Sequence, residues 1–402
     1  MHTTNSFFAL EQKGVSVNHP LVSKYGRCIK VSDGLESILW LFPESSLMIK
    51  KGIYNKKVLQ EAVWIKNLPE EIRRYFPRII SINSSDNSYI MEALPYQTVS
   101  SLLNENKITA RRAFEYWRSG HKVFLSVRDK YEEYVPSGWE KTFLNKAQTR
   151  LRLLENESAL FSDLSNHRHL IINDQTYLNA PLALERIRIL MKKDISLSLR
   201  PNFLTLSHLD LQFSNILAGD DCILLDPTGG RSGDPLYDLM KAIHSTENEY
   251  IKQEFLFVQE KTGISSLREF ELKISQEYTR DNIQKNLIRI FETWVINTKD
   301  DCFRGVFTQD WPLRFWYEYA TTMIGGTYLL FRSDIHNKLK KSLTRYLIST
   351  IYLNIFVSLY ISHLISVGID IDRQVYCDFI DFPFPLKPNS FSSVIFSLKL
   401  VG

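Results

Sequence analysis

Apolar and polar positions alternate through the first hundred residues, and turn-forming residues cut the alternation into short runs. Residues 27–31 and 37–42 read as two strands joined across Ser32-Asp33-Gly34-Leu35-Glu36. With a single glycine, that connection reads as a plain hairpin turn and not as a phosphate cradle. Residues 46–52 form a third apolar strand carrying Lys50 and Lys51 near its end. The period then changes. Across residues 55–68, Val58, Ala62, Ile65 and Leu68 recur at helical spacing until Pro69 stops the run. Residues 76–82 and 88–94 return to strand, across an Asn-Ser-Ser-Asp-Asn turn. From about residue 105 the helical period dominates. Phe114, Trp117, His121, Phe124 and Val127 line one face of residues 110–127, which makes His121 a core histidine and not a ligand. Further helices are predicted over 139–154 and 182–193, the second with Pro181 at its start. Lys146, Arg150 and Arg152 on the first of these read as a solvated face before an anion-binding one.

One segment interrupts the helical half. Residues 203–206 alternate into Asp210, residues 215–218 form a short strand, and Gly219-Asp220-Asp221 turns into a strand over 222–225. This hairpin presents Asp210, then Asn215 five residues later, then Asp226 eleven residues beyond. Phosphoryl transfer needs such a set: a carboxylate for the attacking hydroxyl and hard oxygen ligands for magnesium. Taken alone, the spacing is equally what two Asp- and Asn-rich surface turns produce.

The surrounding wording adds to the spacing. His208-x-Asp210-x4-Asn215 with Asp226, followed by Gly233-Asp234-Pro235-Leu236-Tyr237-Asp238-Leu239-Met240-Lys241 and His244-Ser245, resembles the aminoglycoside phosphotransferase and choline kinase superfamily. More narrowly, the Phe-Ser-Asn-Ile-Leu wording, the Asp-Pro and the Tyr-Asp-Leu-x-Lys-x-x-His-Ser run resemble phosphotransferases encoded among bacterial capsule and surface-polysaccharide genes. The match covers residues 204–245. It implies an α+β, protein-kinase-like two-lobed fold. Residues 1–94 would be a nucleotide-clasping lobe of antiparallel sheet with one helix. Residues 95–402 would be a larger, mostly helical lobe carrying the catalytic hairpin 204–227.

Residue by residue, the resemblance makes Asp210 the catalytic base and Asn215 and Asp226 the magnesium ligands. His208 supports the loop, and Asp238 holds its backbone. Lys50, eleven residues before Glu61, would bind the nucleotide phosphates with Glu61 as its partner; Lys51 is the runner-up. Met91-Glu92-Ala93-Leu94-Pro95 resembles the hinge that meets adenine through backbone groups, which assigns Glu92 and Leu94 to nucleotide binding. Leu209 stands where the superfamily usually has glycine, which is acceptable if the backbone there has negative φ. Pro227 after Asp226, in place of Phe-Gly, argues against a mobile activation switch and against protein-kinase activity. The expected activity is ATP- and Mg²⁺-dependent transfer to a hydroxyl of a small molecule such as a sugar or polyol. The alternative is a catalytically silent kinase-like module that binds a nucleotide or partner.

Composition narrows the picture further. The 402 residues suffice for two lobes with a core each. The net charge of +4 is spread among interleaved acids, so no nucleic-acid surface is expected. Cys28, Cys222, Cys302 and Cys377 lie far apart, without zinc or disulfide spacing, and read as reduced, buried thiols. Residues 1–5 lack the basic and apolar regions of a secretion signal, which leaves the cytoplasm as the expected compartment. Residues 346–369 contain no Asp, Glu, Lys or Arg and are long enough to span a bilayer. Thr350, Asn354, Ser358, Ser362 and Ser366 recur every four residues along it, and His363 adds a polar group. That stripe favours a helix packed inside the protein over membrane association. Residues 375–402 read as an irregular, aromatic-rich tail without chemistry.

Overall fold

The computed structural model describes residues 25–33, 37–53, 56–172, 175–228, 232–249, 258–262, 270–274, 282–298, 303–307, 310–332 and 338–371. Residues 1–5, much of the 32–36 turn, Gly229, Gly230, Cys302, Cys377 and the tail at 375–402 lie outside them. Two compact units emerge. The first takes residues up to 133, 204–250 and 282–290; the second takes 134–203, 251–281 and the chain from 291 on.

The first unit begins with a five-stranded antiparallel sheet in the order β1-β2-β3-β5-β4. Its strands are β1 (Ile29–Asp33), β2 (Ser37–Phe42), β3 (Leu47–Gly52), β4 (Ile79–Asn83) and β5 (Ser88–Glu92). Strand alternation sorts the side chains onto two faces. Trp40, Phe42 and Ile49 pack together on one face with Cys28. On the other, Leu39, Met48, Tyr89 and Met91 meet Val58 and Ala62 of helix α1 (Lys57–Asn67). Helix α1 ends at Leu68, whose extended backbone (φ −61°, ψ 147°) is what a following proline imposes. After Pro69 the chain makes a further single-turn helix, Glu70–Arg73, beyond the one helix expected here.

Helix α2 (Val99–Asn104) is capped by the Thr98 hydroxyl, and α3 (Ala110–Leu125) by that of Thr109. The predicted stripe on α3 is buried, and His121 with it. Its Nε2 lies 3.0 Å from the Pro235 carbonyl oxygen, and burial pushes its pKa down to about 4. It is a neutral core histidine.

The chain enters the second unit with α4 (Lys141–Glu157) and α5 (Ala159–Asn166), then β6 (His169–Ile172) and β7 (Gln175–Leu178). In α6 (Ala180–Lys193), Asn179 caps the first turn by accepting the Leu182 N–H at 2.9 Å. It returns to the first unit for β8 (Thr205–Leu206), β9 (Ile216–Ala218), β10 (Cys222–Leu224), β11 (Ser232–Gly233) and α7 (Pro235–Glu249). Strands β9 and β10 pair as the predicted hairpin, and β8 pairs with β11. Cys28 and Cys222 are buried thiols.

Strands β12 (Val258–Thr262) and β13 (Phe270–Ile274) then complete a second sheet, β12-β13-β6-β7, with β13 parallel to β6. The sequence pattern did not anticipate this sheet, because β6 and β7 are four residues each and too short to show a period. Three helices follow: α8 (Asn282–Asn297), α9 (Trp311–Arg332) and α10 (Lys338–Ser366). Helix α10 packs along α9 and against α6. Its Ser342–Ser366 stretch is apolar enough to cross a bilayer, yet 72% of that stretch's most apolar window is buried within the protein. The hydroxyls of Thr350, Ser358 and Ser362 bond the carbonyl four residues back, at 2.8, 3.2 and 2.9 Å.

Candidate active site

Strand parity decides which lysine turns toward α1. Lys50 shares the face of Met48, opposite Tyr89 on β5, and both look toward α1. Its Nζ lies 2.7 Å from Glu61 Oε2 and also pairs with Asp226 Oδ1. The Tyr89 hydroxyl donates to Glu61 Oε1 at 2.7 Å, so both glutamate oxygens are engaged. Lys51, on the opposite face, pairs with Asp86 and stays half-exposed. Burial pulls the Lys50 pKa down, but Glu61 and Asp226 outweigh it and the net shift is upward. Burial pushes the Glu61 carboxyl up to about 7 against the pull of Lys50, and raises the Tyr89 hydroxyl well above its usual range. Removing one member of such a buried pair leaves the other charge uncompensated, at a cost of about 3–5 kcal/mol.

The loop between β8 and β9 is built around Asp238. This fully buried carboxylate on α7 accepts the N–H of His208 at 3.1 Å and that of Leu211 at 3.4 Å. Two backbone donors on either side of Asp210 are thereby fixed to a helix. The His208 ring lies beneath, stacked on Phe76 at 6.2 Å and edge-on to Phe124. Burial lowers its pKa to about 4. Asn215 Nδ2 donates to the Asp210 carbonyl at 2.9 Å and to Asp210 Oδ2 at 3.2 Å. Lys241, one turn after Asp238, places Nζ 2.6 Å from Asp210 Oδ1.

Leu209 departs from expectation. Its φ is +60°, in the left-handed region, and not negative. Here glycine would be the unstrained residue, and leucine costs roughly 1–2 kcal/mol. The surroundings over-determine it. Asp238 holds the backbone before and after, and the Thr228 hydroxyl donates to the Leu209 carbonyl at 3.2 Å. Its side chain lies so close over Gly233 that a Cβ there would collide with it. Gly233 thus leaves room for the leucine side chain, while the left-handed backbone stays at Leu209.

The β9–β10 hairpin delivers the second carboxylate. Leu224 donates to the Tyr75 carbonyl at 2.7 Å and Leu225 to the Asn215 carbonyl at 2.9 Å, which ties the hairpin's end to the loop. Asp226 follows with φ +54°, a conformation aspartate tolerates, and its side chain is half-exposed. The hinge-like segment lies on the same unit. The Glu92 side chain turns to the Arg78 N–H, 2.8 Å away, so any contact it makes with a base is through its backbone. Leu94 is part-buried, and among the described residues its main chain makes no hydrogen bond.

A divalent cation suits the two oxygen donors. The Asn215 NH₂ is committed to Asp210, and among the described residues its Oδ1 accepts no hydrogen bond. Asp226 gives Oδ1 to Lys50 and keeps Oδ2. Among the described residues, no three His, Cys, Asp or Glu side chains gather as an all-protein metal cage. One amide and one carboxylate fit magnesium, which takes few protein ligands and completes its shell with water and phosphate.

The sequence had assigned no chemistry to Tyr89 or Lys241. Lys241 was findable, since its spacing from Asp238 puts both on one helix face. Tyr89 was not, because cross-strand register cannot be read from alternation alone.

No family profile and no curated protein matches the chain. Solved structures do. A thermostable mutant of aminoglycoside phosphotransferase APH(4)-Ia superimposes with a TM-score of 0.50 at 12% identity, covering 84% of this chain and 97% of that one. A choline/ethanolamine kinase family protein from Mesorhizobium loti gives 0.47 at 13% identity, covering 87% and 95%. Choline kinase LicA from Streptococcus pneumoniae gives 0.44 at 11%, covering 79% and 89%. The first likeness shows the fold of this chain to be protein-kinase-like, α+β, with a five-stranded antiparallel sheet ahead of a mostly helical remainder.

Proposed function

We propose that the protein is an ATP-dependent phosphotransferase acting on a hydroxyl of a small molecule. A sugar, polyol or related precursor of a surface polysaccharide is the acceptor class the sequence wording favours, and the cytoplasm is where its ATP is supplied. In this reading residues 1–94 clasp the nucleotide and residues 95–402 carry the catalytic hairpin. The observation that carries it is the convergence of three separate segments: Lys50 reaches both Glu61 and Asp226, while Asn215 holds Asp210.

The chemistry follows from those atoms. The acceptor oxygen forms a bond to the γ-phosphorus as the bond to the β-bridging oxygen breaks, releasing ADP. The hydroxyl proton passes to the Asp210 carboxylate and then to water. Lys50, aimed by Glu61 and Tyr89, holds the nucleotide phosphates. Asn215 Oδ1 and Asp226 would hold Mg²⁺, which supplies charge neutralisation on those phosphates. The Leu94 main chain and that of Glu92 meet the adenine. Positioning and electrostatics provide most of the rate in such a site, because the transferring group needs little covalent help.

Calorimetry with ATP tests the assignment of the two carboxylates. Wild type binds ATP more tightly with Mg²⁺ than without it. Asp226→Ala loses the magnesium-dependent increment, and Asp210→Ala keeps it. An unchanged magnesium increment in Asp226→Ala contradicts the reading.

A further inference from the structure

Helix α7 carries two charged residues one turn apart that reach into the same loop. Asp238 takes the backbone of His208 and Leu211, and Lys241 takes the Asp210 carboxylate. The Lys241–Asp210 pair differs from the exposed pairs elsewhere. Its lysine side chain is only 14% exposed and its aspartate 28%, whereas Arg111–Glu115 stands at 68% and 44%. Exposed pairs contribute little because water screens them. A charge-assisted contact at 2.6 Å, largely shielded, is short and directional.

The opposite oxygen of Asp210 is held by Asn215 Nδ2 at 3.2 Å. Each carboxylate oxygen has two lone-pair sites. With one oxygen on a lysine and the other on an amide, rotation of the carboxylate plane is restrained from both sides. A second consequence is electrostatic. Asp210 and Asp226 are two anions beside the place where a polyanionic nucleotide would lie. Lys50 balances Asp226, and Lys241 balances Asp210. Without that second cation, Asp210 repels the phosphoryl group it must approach.

We propose that Lys241 is a positioning residue that locks the Asp210 carboxylate in its working orientation and cancels its repulsion of the transferring phosphoryl group. The inference rests on the phosphotransferase reading given above. It extends that reading to a residue outside the hairpin, on the helix from which Asp238 holds the loop's backbone.

The test uses the full chain and requires no knowledge of the acceptor. Calorimetry compares MgADP with MgADP plus tetrafluoroaluminate, a mimic of the phosphoryl group in flight, for wild type, Lys241→Met and Lys241→Arg. Wild type binds the mimic complex much more tightly than MgADP. Lys241→Met loses about 100-fold of that extra affinity, the scale of misplacing a reacting group by an ångström, and MgADP affinity changes less than about threefold. Lys241→Arg recovers most of the loss, since it keeps the cation. Thermal melts separate a folding defect, which lowers both affinities together. Equal loss of both affinities, or no selective loss in Lys241→Met, overturns the inference while leaving the phosphotransferase reading intact. A wild type that binds neither complex overturns that reading itself.

Discussion

Asp238 shows how one residue's environment sets a site's tolerance to pH. Burial pushes its pKa from 3.8 up to about 7, and the backbone N–H groups of Leu211, His208 and Leu209 only partly oppose this. The folded chain therefore holds the proton more tightly than the unfolded chain does. Asp238's contribution to stability is complete below the unfolded value and is lost as pH rises through about 7. Asp238→Asn cannot titrate. Its deficit relative to wild type should be widest at pH ~4 and below, and shrink toward pH ~8, read from urea midpoints; a constant or widening gap contradicts the assignment. At this scale the sequence was informative wherever a residue's role follows from strand parity or helix spacing. Lys50 rather than Lys51 faces α1 because it shares parity with Met48. The backbone sign at Leu209 was not legible, because it depends on Asp238, Thr228 and Gly233, all distant in sequence.

Helix α10 makes the corresponding point for an element. Its four-residue polar stripe was visible in the sequence, but the partner of the stripe was not. Asn354, fully buried, accepts the Leu178 N–H at 3.0 Å and donates to the Leu178 carbonyl at 2.9 Å and to the Thr350 carbonyl at 2.8 Å. One side chain thus satisfies the last residue of β7, which among the described residues has its sheet partner on one side only. Near the helix's other end, the Tyr360 hydroxyl donates to Asp194 at 2.7 Å, and Ser198 Oγ lies 2.8 Å from His363 Nε2. Such polar fixings explain how a helix of membrane-spanning length comes to lie in a protein core. Asn354→Ala strands a buried donor and acceptor and should destabilise the chain by about 2–4 kcal/mol in chemical denaturation. A change below about 0.5 kcal/mol would show that the carboxamide is not what joins α10 to β7.

For the whole molecule, the protein-kinase-like fold was what the resemblance of residues 204–245 implied, and the order of a few elements agreed with it: five short strands, a helix between the third and fourth, and a late hairpin bearing Asp210, Asn215 and Asp226. Local periodicity carries those elements and not the fold. It did not show the β12-β13-β6-β7 sheet, whose pairing joins segments about a hundred residues apart and leaves no local mark. It marks Asp238 and Lys241 as sharing one face of α7, but not that Lys241 reaches Asp210. The account as a whole stands on Asp210 as the group that receives the acceptor's proton. Its most direct test is ³¹P NMR of MgATP incubated with the protein and a panel of sugars, polyols and amino alcohols. Wild type should produce ADP and a new phosphomonoester with at least one acceptor. Asp210→Ala should form it about 10²–10⁴-fold more slowly, with ATP affinity retained. Full activity in Asp210→Ala, or no new phosphomonoester from wild type with any acceptor, would contradict it.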